Sequence, residues 1–307
     1  MNPLIRFIPP PLVRFFARPY VAGDSLEKAI DVAAKMVAED GFLTTLDLLA
    51  EGIDSAAAVR QNVDTYLRMV DVIADDPRFA GEGRRPTVSL KFSSYTTAPL
   101  EAGGDASGAE DAVRRIVEHA ARRGVEVTLD MESRHWTDYT LACLARLHQA
   151  GHRHVGCVIQ TRLHRSEADL RRLPAGCRVR LVIGIYHEPE EVALTDKSAM
   201  KDRMLLFAGR LLEAGHYVEF ATHDERYVAR FLDEVAPGVG ADRYEVQMLY
   251  GVPRVRLQKS LVAQGVRVRL YVPFALSWKM AVAYLRRRLD EYPAMAVLVA
   301  KNWLRRR

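Results

Sequence analysis

The stretch "VEVTLDM", residues 125–131, is a short β-branched and apolar run that directly follows a helical pattern, "AEDAVRRIVEHAARRG", at residues 109–124. The helical pattern ends at Gly124, a residue type on which helices often end. Strands that alternate with helices in this way indicate an α/β fold with a parallel sheet. The same alternation continues along most of the chain.

Eight strand-like runs are present in the sequence. Eight strand–helix repeats within about 250 residues are what a TIM barrel requires. No GxGxxG motif follows the first run, which counts against a dinucleotide-binding doubly wound sheet. The sequence therefore predicts an α/β fold, a (βα)8 TIM barrel. The runs are "FLTTLDLL" (42–49), "TVSLKF" (87–92), "VEVTLDM" (125–131), "HVGCVIQ" (154–160), "VRLVIGIY" (179–186), "YVEFAT" (217–222), "YEVQML" (244–249) and "VRVRLYV" (266–272).

The chain before the repeats predicts a helix of its own. Residues 24–39 have apolar positions at helical spacing, beginning after Ser25 and with Glu27 in the first turn, a typical capped start. We therefore expect an N-terminal helical arm over residues 1–40 and a barrel over residues 41–307.

The composition is that of an ordinary globular protein, with 49% hydrophobic and 27% charged residues in a chain of 307. No apolar run reaches the roughly 18 residues that a membrane span needs. The net charge of +5 is concentrated at the two termini. Because no compact basic and aromatic motif accompanies this charge, nucleic-acid binding is not expected.

The cysteines and the N-terminus bear on where the protein works. Cys143, Cys157 and Cys177 are odd in number and lack metal-ligand spacing, so we expect reduced core thiols in the cytoplasm and no metal site. Residues 1–20 contain no acidic side chain and mix arginine with phenylalanine, but three prolines at 9–11 exclude a secretory signal. Two interpretations stay open, an arm packed on the barrel and a peripheral membrane contact.

Polar residues follow nearly every strand-like run. In a TIM barrel the active site lies at the carboxyl ends of the strands, so these residues are site candidates. Hydrogen bonding would explain any one of them as well as catalysis would, but it explains a complete ring less easily. The candidates are Glu51, Lys91, Asp130, Glu132, Gln160, Tyr186, Thr222, His223, Asp224, Gln247, Tyr250 and Tyr271.

Three consecutive arginines, Arg286, Arg287 and Arg288, lie in "AYLRRRLDEYP", residues 283–293. Helical neighbours project about 100° apart, so three adjacent side chains cannot share one solvated face. At least one should therefore point toward the protein or a ligand, and a carboxylate suits a pair of guanidinium groups. The alternative is a solvated C-terminal helix.

The chain from about residue 20 onward resembles the short monofunctional bacterial form of proline dehydrogenase. The motifs that carry the resemblance occur in the family's order, and the ordered set is much more specific than any one of them. They are "RPYVAGDSLEKAIDVAAKM" with "LDLLAEGI", "VSLKFSSY", "VTLDMES", "CVIQTRLHRSEADL", "RLVIGIYHEPEEVALTDK", "VEFATHDERYV", "EVQMLYGV", "VRVRLYVPF" and "YLRRRLDE".

The resemblance implies a distorted (βα)8 barrel that contains FAD and carries a C-terminal helix over its mouth. It implies oxidation of L-proline to Δ1-pyrroline-5-carboxylate by hydride transfer to flavin N5, with electrons passed to a quinone. A cytoplasmic enzyme in peripheral contact with the inner face of the membrane is expected from it.

The resemblance also assigns roles on the substrate side. Arg287 and Arg288 would bind the substrate carboxylate, since a planar, permanently charged fork suits it. Lys91 and Asp130 would orient the reacting groups and neutralise each other, because buried charges are costly unless paired. The remaining substrate-side residues are Tyr284 against the ring, Tyr271, Leu249 and Ile185 lining the pocket, Tyr186 closing it, and Glu51 as an ion-pair partner of Arg287.

On the cofactor side, the resemblance places Arg180 near flavin N5, where a guanidinium stabilises the reduced anionic flavin. Gln160 would bind the pyrimidine edge. The other residues implied in FAD binding are Val182, Gly184, Lys197, Thr222, His223 and Gln247.

Departures from the family pattern gather at the substrate side. "RLVIGIY" has Ile183 for a lysine and Ile185 for an alanine, and "YVPFA" has Phe274 and Ala275 for a tyrosine and a glycine. Two alternatives to proline dehydrogenase therefore stay open. One is a flavin-dependent dehydrogenase of another cyclic or N-substituted amino acid, and the other is a catalytically weak barrel that acts as a binding module.

Overall fold

Eight parallel strands close into a barrel in chain order, each hydrogen-bonded to the next and β8 to β1. The computed structural model describes residues 19–50, 53–81, 83–278 and 280–282. The predicted (βα)8 barrel is confirmed. The strands are β1 (Leu43–Leu48), β2 (Thr87–Leu90), β3 (Val127–Leu129), β4 (Val155–Gln160), β5 (Arg178–Val182), β6 (Tyr217–Ala221), β7 (Tyr244–Leu249) and β8 (Val268–Phe274).

Helices separate the strands, and one precedes them. The first begins after Ser25, whose side chain accepts a hydrogen bond from the backbone N–H of Lys28 at 3.3 Å, as the capping signal predicts. No helix in the described ranges is long and apolar enough to cross a membrane. The helices are α1 (Leu26–Lys35), α2 (Ala56–Asp75), α3 (Ala109–Arg123), α4 (Arg134–Gln149), α5 (Ser166–Leu170), α6 (Lys197–Glu213), α7 (Glu225–Arg230) and α8 (Val255–Ala263).

The two faces of β5 differ in polarity. On β5, Val179 and Leu181 are fully buried in the apolar core beneath the helices. Arg180, which alternates with them, contacts Ser89 on β2 and Gln247 on β7. Because neither of those strands adjoins β5, these contacts cross the barrel interior. The interiors of TIM barrels are usually filled by branched apolar side chains, whereas this one carries charged and amide side chains.

Helix α1 packs on the same core as the barrel. Leu26 and Ile30 are buried in the main apolar cluster, and the preceding segment pairs with the end of β8 through Ala22 N–H to Pro273 O at 2.8 Å. The division of the chain at residue 40 stays a prediction.

All three cysteines are buried and free. Cys143 lies on α4, Cys157 on β4 and Cys177 directly before β5. Their burial agrees with the prediction of core thiols.

Candidate active site at the barrel mouth

A lysine is clamped between two carboxylates at the carboxyl ends of β1, β2 and β3. Lys91 Nζ lies 2.6 Å from Asp47 Oδ1 and 3.0 Å from Asp130 Oδ2. Lys91 also donates to the Tyr271 hydroxyl at 3.0 Å, and that hydroxyl donates to Asp130 Oδ2 at 2.7 Å. The predicted pairing of Lys91 with Asp130 is therefore confirmed, and Tyr271 completes the cluster.

Arg180 on β5 binds the other oxygen of the same carboxylate. Its Nη1 donates to Asp130 Oδ1 at 2.8 Å, and Ser89 Oγ donates to the same oxygen at 2.7 Å. The guanidinium carbon also lies 5.1 Å from the centre of the Tyr271 ring, within the range of a cation–π contact. Asp130 thus accepts hydrogen bonds from groups on β2, β5 and β8.

A deeper layer of ionic residues supports Arg180. Gln247 Oε1 accepts from Arg180 Nε at 2.7 Å. The amide nitrogen of Gln247 donates to Glu219 Oε2 at 2.7 Å and to Glu245 Oε1 at 2.6 Å. Glu245 in turn accepts from Arg269 Nε at 2.6 Å. Each of the charged groups named here therefore has a hydrogen-bonded partner, as burial of charge requires.

The ionisation of this cluster follows from its pairing. Burial alone would raise the pKa of Asp130, but Lys91 and Arg180 outweigh burial and lower that pKa to about 2. Burial favours the neutral amine of Lys91, yet Asp47 and the other nearby groups raise its pKa well above the ordinary value. Burial raises the pKa of Tyr271 far above its ordinary value. At neutral pH Asp130 is therefore an anion, Lys91 is a cation and Tyr271 keeps its proton.

A buried hydrogen-bond acceptor lies at the carboxyl end of β4. Gln160 donates its amide N–H to the carbonyl of Glu132 at 2.8 Å, but its Oε1 is buried without a hydrogen-bond partner in the described part of the chain. Gly184 has φ +90°, and a Cβ there would lie 2.8 Å from Gln160 Oε1 and 2.9 Å from Arg162 Cδ. Only glycine therefore leaves room for both side chains.

His223 contributes a buried donor. Its Nε2 accepts the backbone N–H of Leu249 at 3.2 Å. Burial and the nearby Arg254 lower the pKa of His223 to about 4, so the ring is neutral at physiological pH. A neutral ring that accepts at Nε2 carries its proton on Nδ1. Within the described ranges, neither that atom nor Arg180 Nη2 has a hydrogen-bond partner, although both are buried.

The remaining predicted residues are divided between the mouth and the undescribed part of the chain. Six lie at or after the carboxyl ends of β5–β7 or at the first residue of α6. They are Val182, Ile185, Tyr186, Lys197, Thr222 and Leu249. Four predicted residues, Glu51, Tyr284, Arg287 and Arg288, lie outside the described residues.

Several residues of the charged interior were missed by the sequence analysis. Their signal is the period of two within each strand, because every second residue shares a face. Counting back two residues from Lys91 and Gln247 gives Ser89 and Glu245, and the remaining members are Asp47, Glu219 and Arg269. These residues lie inside the strand-like runs, so a search of the strand ends does not select them.

Comparison with known proteins identifies the family. Residues 30–301 match the family model described as proline dehydrogenase. The chain is 38% identical to a proline dehydrogenase of Deinococcus radiodurans, over 94% of this chain and 90% of that protein. It is 32% identical to proline dehydrogenase 1 of Bacillus subtilis, over 95% of this chain and 92% of that protein.

A solved structure shows the same architecture. Proline utilization A (PutA) of Bdellovibrio bacteriovorus, in a crystal structure described as inactivated by N-propargylglycine, matches with a TM-score of 0.80 at 26% identity. The match covers 90% of this chain and 32% of that one, so this chain spans about a third of the length of that solved protein.

Fold and site together define a (βα)8-barrel protein with a buried ionic cluster at the face where barrel enzymes carry out catalysis. The chain belongs to the proline dehydrogenase family. The predicted resemblance is confirmed, and the protein is an enzyme rather than a binding module.

Proposed function

We propose that the protein oxidises L-proline to Δ1-pyrroline-5-carboxylate in proline catabolism, with FAD as its redox cofactor. The observation that carries this proposal is the cluster of Lys91, Asp130, Arg180 and Tyr271 at the mouth of a family-typical barrel. It presents fixed charges and a phenol where a small charged amino acid and a flavin ring would meet.

The buried polar atoms that lack partners fit a flavin cofactor. Gln160 Oε1 is an acceptor, and Arg180 Nη2 and His223 Nδ1 are donors. Buried polar atoms are normally paired, so a ligand with both donors and acceptors is expected between them. The pyrimidine part of a flavin offers an N–H and carbonyl oxygens, and the pyrophosphate of FAD offers acceptors to a neutral histidine.

When bound, FAD supplies the hydride acceptor, and the chain supplies binding and electrostatics. Arg180 would supply a permanent positive charge to the flavin, Gln160 would bind its pyrimidine edge and His223 would bind the pyrophosphate. Lys91 and Asp130 orient the substrate. The other residues proposed for FAD are Val182, Gly184, Lys197, Thr222 and Gln247.

The substrate carboxylate is assigned to Arg287 and Arg288. Tyr284 would pack on the ring, Tyr271 and Leu249 line the apolar side, and Tyr186 closes the pocket. Glu51 would pair with Arg287. Support for these roles comes from the matching motifs and from the place of Tyr271 and Leu249 at the mouth.

A quinone is proposed as the electron acceptor, reached by peripheral contact of a cytoplasmic protein with the inner face of the membrane. The basic and aromatic residues 1–20 support such a contact, because cationic and aromatic side chains together suit a membrane interface.

The substrate is tested by exposing the purified, FAD-loaded protein anaerobically to a panel of cyclic and N-substituted amino acids. L-proline is expected to bleach the flavin faster than any other member at equal concentration. If proline at millimolar concentration left the flavin oxidised while another amine reduced it, the second candidate function would replace the first.

Ile185 supports the second candidate function, a dehydrogenase of another cyclic or N-substituted amino acid. This side chain replaces an alanine of the family pattern and is 45% exposed at the barrel mouth, directly after Gly184. Ile185→Ala removes about three methylene-sized groups, and overfilling a fitted site commonly costs about 1–3 kcal/mol. The variant is expected to lower the KM for L-proline about 5- to 100-fold if the isoleucine crowds the substrate. Steady-state kinetics would show this, and an unchanged KM would place Ile185 outside the pocket.

His223→Ala is expected to weaken FAD binding about tenfold, because one buried hydrogen bond is worth about 1 kcal/mol or somewhat more to a charged group. Titration of apoprotein with FAD, followed by fluorescence, measures the Kd. His152→Ala is the matched control, since His152 precedes β4 at the opposite end of the barrel. Equal FAD affinity in both variants would remove His223 from the cofactor site.

A further inference from the structure

Glu132 is a buried carboxyl at the barrel mouth to which the proposed function assigns no role. It lies two residues beyond Asp130 and is 5% exposed. Both of its oxygens are engaged by one residue: the backbone N–H of Ser93 donates to Oε1 at 3.0 Å, and the Ser93 hydroxyl donates to Oε2. A carboxyl held by both donors of a single serine fixes the position of that serine.

Ser93 belongs to a 3-10 turn, Phe92–Tyr95, that begins directly after Lys91. The next residue, Ser94, donates its hydroxyl to the carbonyl of Ala50 at 2.9 Å, and its own carbonyl accepts from Asn62 Nδ2 at 2.8 Å. The turn therefore connects the chain beyond β1, β2 and β3, the three strand ends that supply Asp47, Lys91 and Asp130.

The apolar residues of the turn are fixed by packing. Phe92 is fully buried and stacks on Trp136 at 6.3 Å between ring centres, and Tyr95 packs edge-on against Tyr66 at 6.0 Å. Ser93 is half-buried and takes no part in these ring contacts. Its own N–H and hydroxyl are held by the two bonds to Glu132.

We propose that Glu132 is a positioning residue for proline oxidation, which acts through Ser93 to fix the Phe92–Tyr95 turn and thereby holds Lys91 against Asp130. The inference deepens the proposed function and rests on it. Glu132 does not itself touch the lysine by a hydrogen bond among the described contacts; the effect passes through the backbone that joins Lys91 to Ser93.

The charge of Glu132 gives the inference a measurable signature. Burial raises the pKa of Glu132 to about 7, against the opposing effects of Ser93 and Lys91 and with a small contribution from Glu101. The other titratable group that interacts with it is Tyr95, which burial keeps protonated. Glu132 is therefore protonated below about pH 7 and adds a negative charge near the substrate site above it.

The test compares three variants of the FAD-loaded protein. Glu132→Ala removes both bonds to Ser93 and is expected to lower kcat/KM for L-proline about tenfold or more, since each bond is worth about 1 kcal/mol. Glu132→Gln restores the value to within about twofold at pH 6, because an amide accepts from the N–H and donates to the hydroxyl. Glu118→Ala, on the exposed face of α3, should behave as wild type.

The pH profile separates positioning from a general structural role. The kcat/KM of the wild type should show an inflection near pH 7 that Glu132→Gln lacks, so the two proteins diverge above pH 7. A merely structural carboxyl would not produce this difference. Thermal unfolding gives an independent readout. Because the pKa of Glu132 is raised from 4.5 to about 7 in the folded state, the wild type should lose stability as pH rises from about 4.5 to about 7. The Tm of the wild type should therefore fall relative to that of Glu132→Gln over this range.

Two results would overturn the inference: Glu132→Ala with kinetics within twofold of wild type, or Glu132→Gln as impaired as Glu132→Ala with an unchanged pH profile. If Glu132→Ala does not fold, Ser93→Ala tests the inference in its place. That variant should lower kcat/KM at least threefold. A wild-type protein inert toward proline would reject the proposed function and the inference with it, whereas an active wild type with an unaffected Glu132→Ala would reject the inference alone.

Discussion

Asp130→Asn is expected to slow the reduction of the flavin by L-proline roughly 100- to 1,000-fold, the range seen when one fixed electrostatic group of an active site is removed. The Asp130 carboxylate accepts from Arg180 and Tyr271 and pairs with Lys91. An amide keeps the shape but loses the charge, so the two cations lose their shared counter-ion. Anaerobic stopped-flow measurement of flavin absorbance gives the rate.

Asp47→Asn is the matched control, because Asp47 is the second carboxylate on Lys91, at 2.6 Å. Burial raises the pKa of Asp47, whereas the pKa of Asp130 is lowered to about 2, so the cluster depends more on the charge of Asp130. The rate should fall less in Asp47→Asn than in Asp130→Asn. Equal rates in the two variants would contradict the assignment of Asp130 as the central anion.

Asp130→Asn should also destabilise the fold. Breaking a buried ion pair costs about 3–5 kcal/mol when one charge is left without its partner. The folded pKa of Asp130, about 2, lies below the ordinary 3.8, so its contribution is present above pH 3.8 and is lost as pH falls through 2. Urea unfolding should show a gap between wild type and Asp130→Asn that is full at neutral pH and narrows in acid.

Arg288→Lys is expected to raise the KM for L-proline by one to two orders of magnitude with a smaller change in kcat. A lysine keeps the charge but replaces a planar fork by a point charge, and bidentate binding of a carboxylate is lost. Steady-state kinetics with proline measures the effect. Arg288 lies outside the described residues, so the expectation rests on the motif "YLRRRLDE".

Arg286→Lys supplies the control for Arg288→Lys, since it makes the same chemical change in the arginine assigned no ligand. Its KM should stay close to that of wild type. An unchanged KM in Arg288→Lys, or an equal rise in both variants, would place the carboxylate site elsewhere.

The strands of the barrel could be predicted because each is a short apolar run, but some ends could not. The run at 179–186 predicts a long β5, whereas the strand ends at Val182, since Gly184 takes φ +90° and turns the chain away. The run at 266–272 predicts a β8 that begins and ends two residues earlier than the observed strand, Val268–Phe274, which continues to Phe274 because Leu48 of β1 pairs with that residue. Both differences arise from backbone geometry that composition does not encode.

Some residues of the site could likewise be predicted from the sequence, and others could not. Lys91 and Asp130 could be paired in advance because both follow apolar runs and buried charges need partners. Asp47 lies inside its run, so only its position on the inward face shows that it joins them. The contact between His223 and the backbone of Leu249 links residues 26 apart in sequence, and it forms only when β6 and β7 lie side by side.

The most direct test is an anaerobic titration of the purified, FAD-loaded protein with L-proline, with absorbance recorded alongside assay of Δ1-pyrroline-5-carboxylate. One product molecule should form for each flavin reduced, and Asp130→Asn should show neither change on the same timescale. A flavin that stays oxidised with excess proline, or that is reduced without formation of this product, would contradict the assignment of the barrel mouth as a proline-oxidising site.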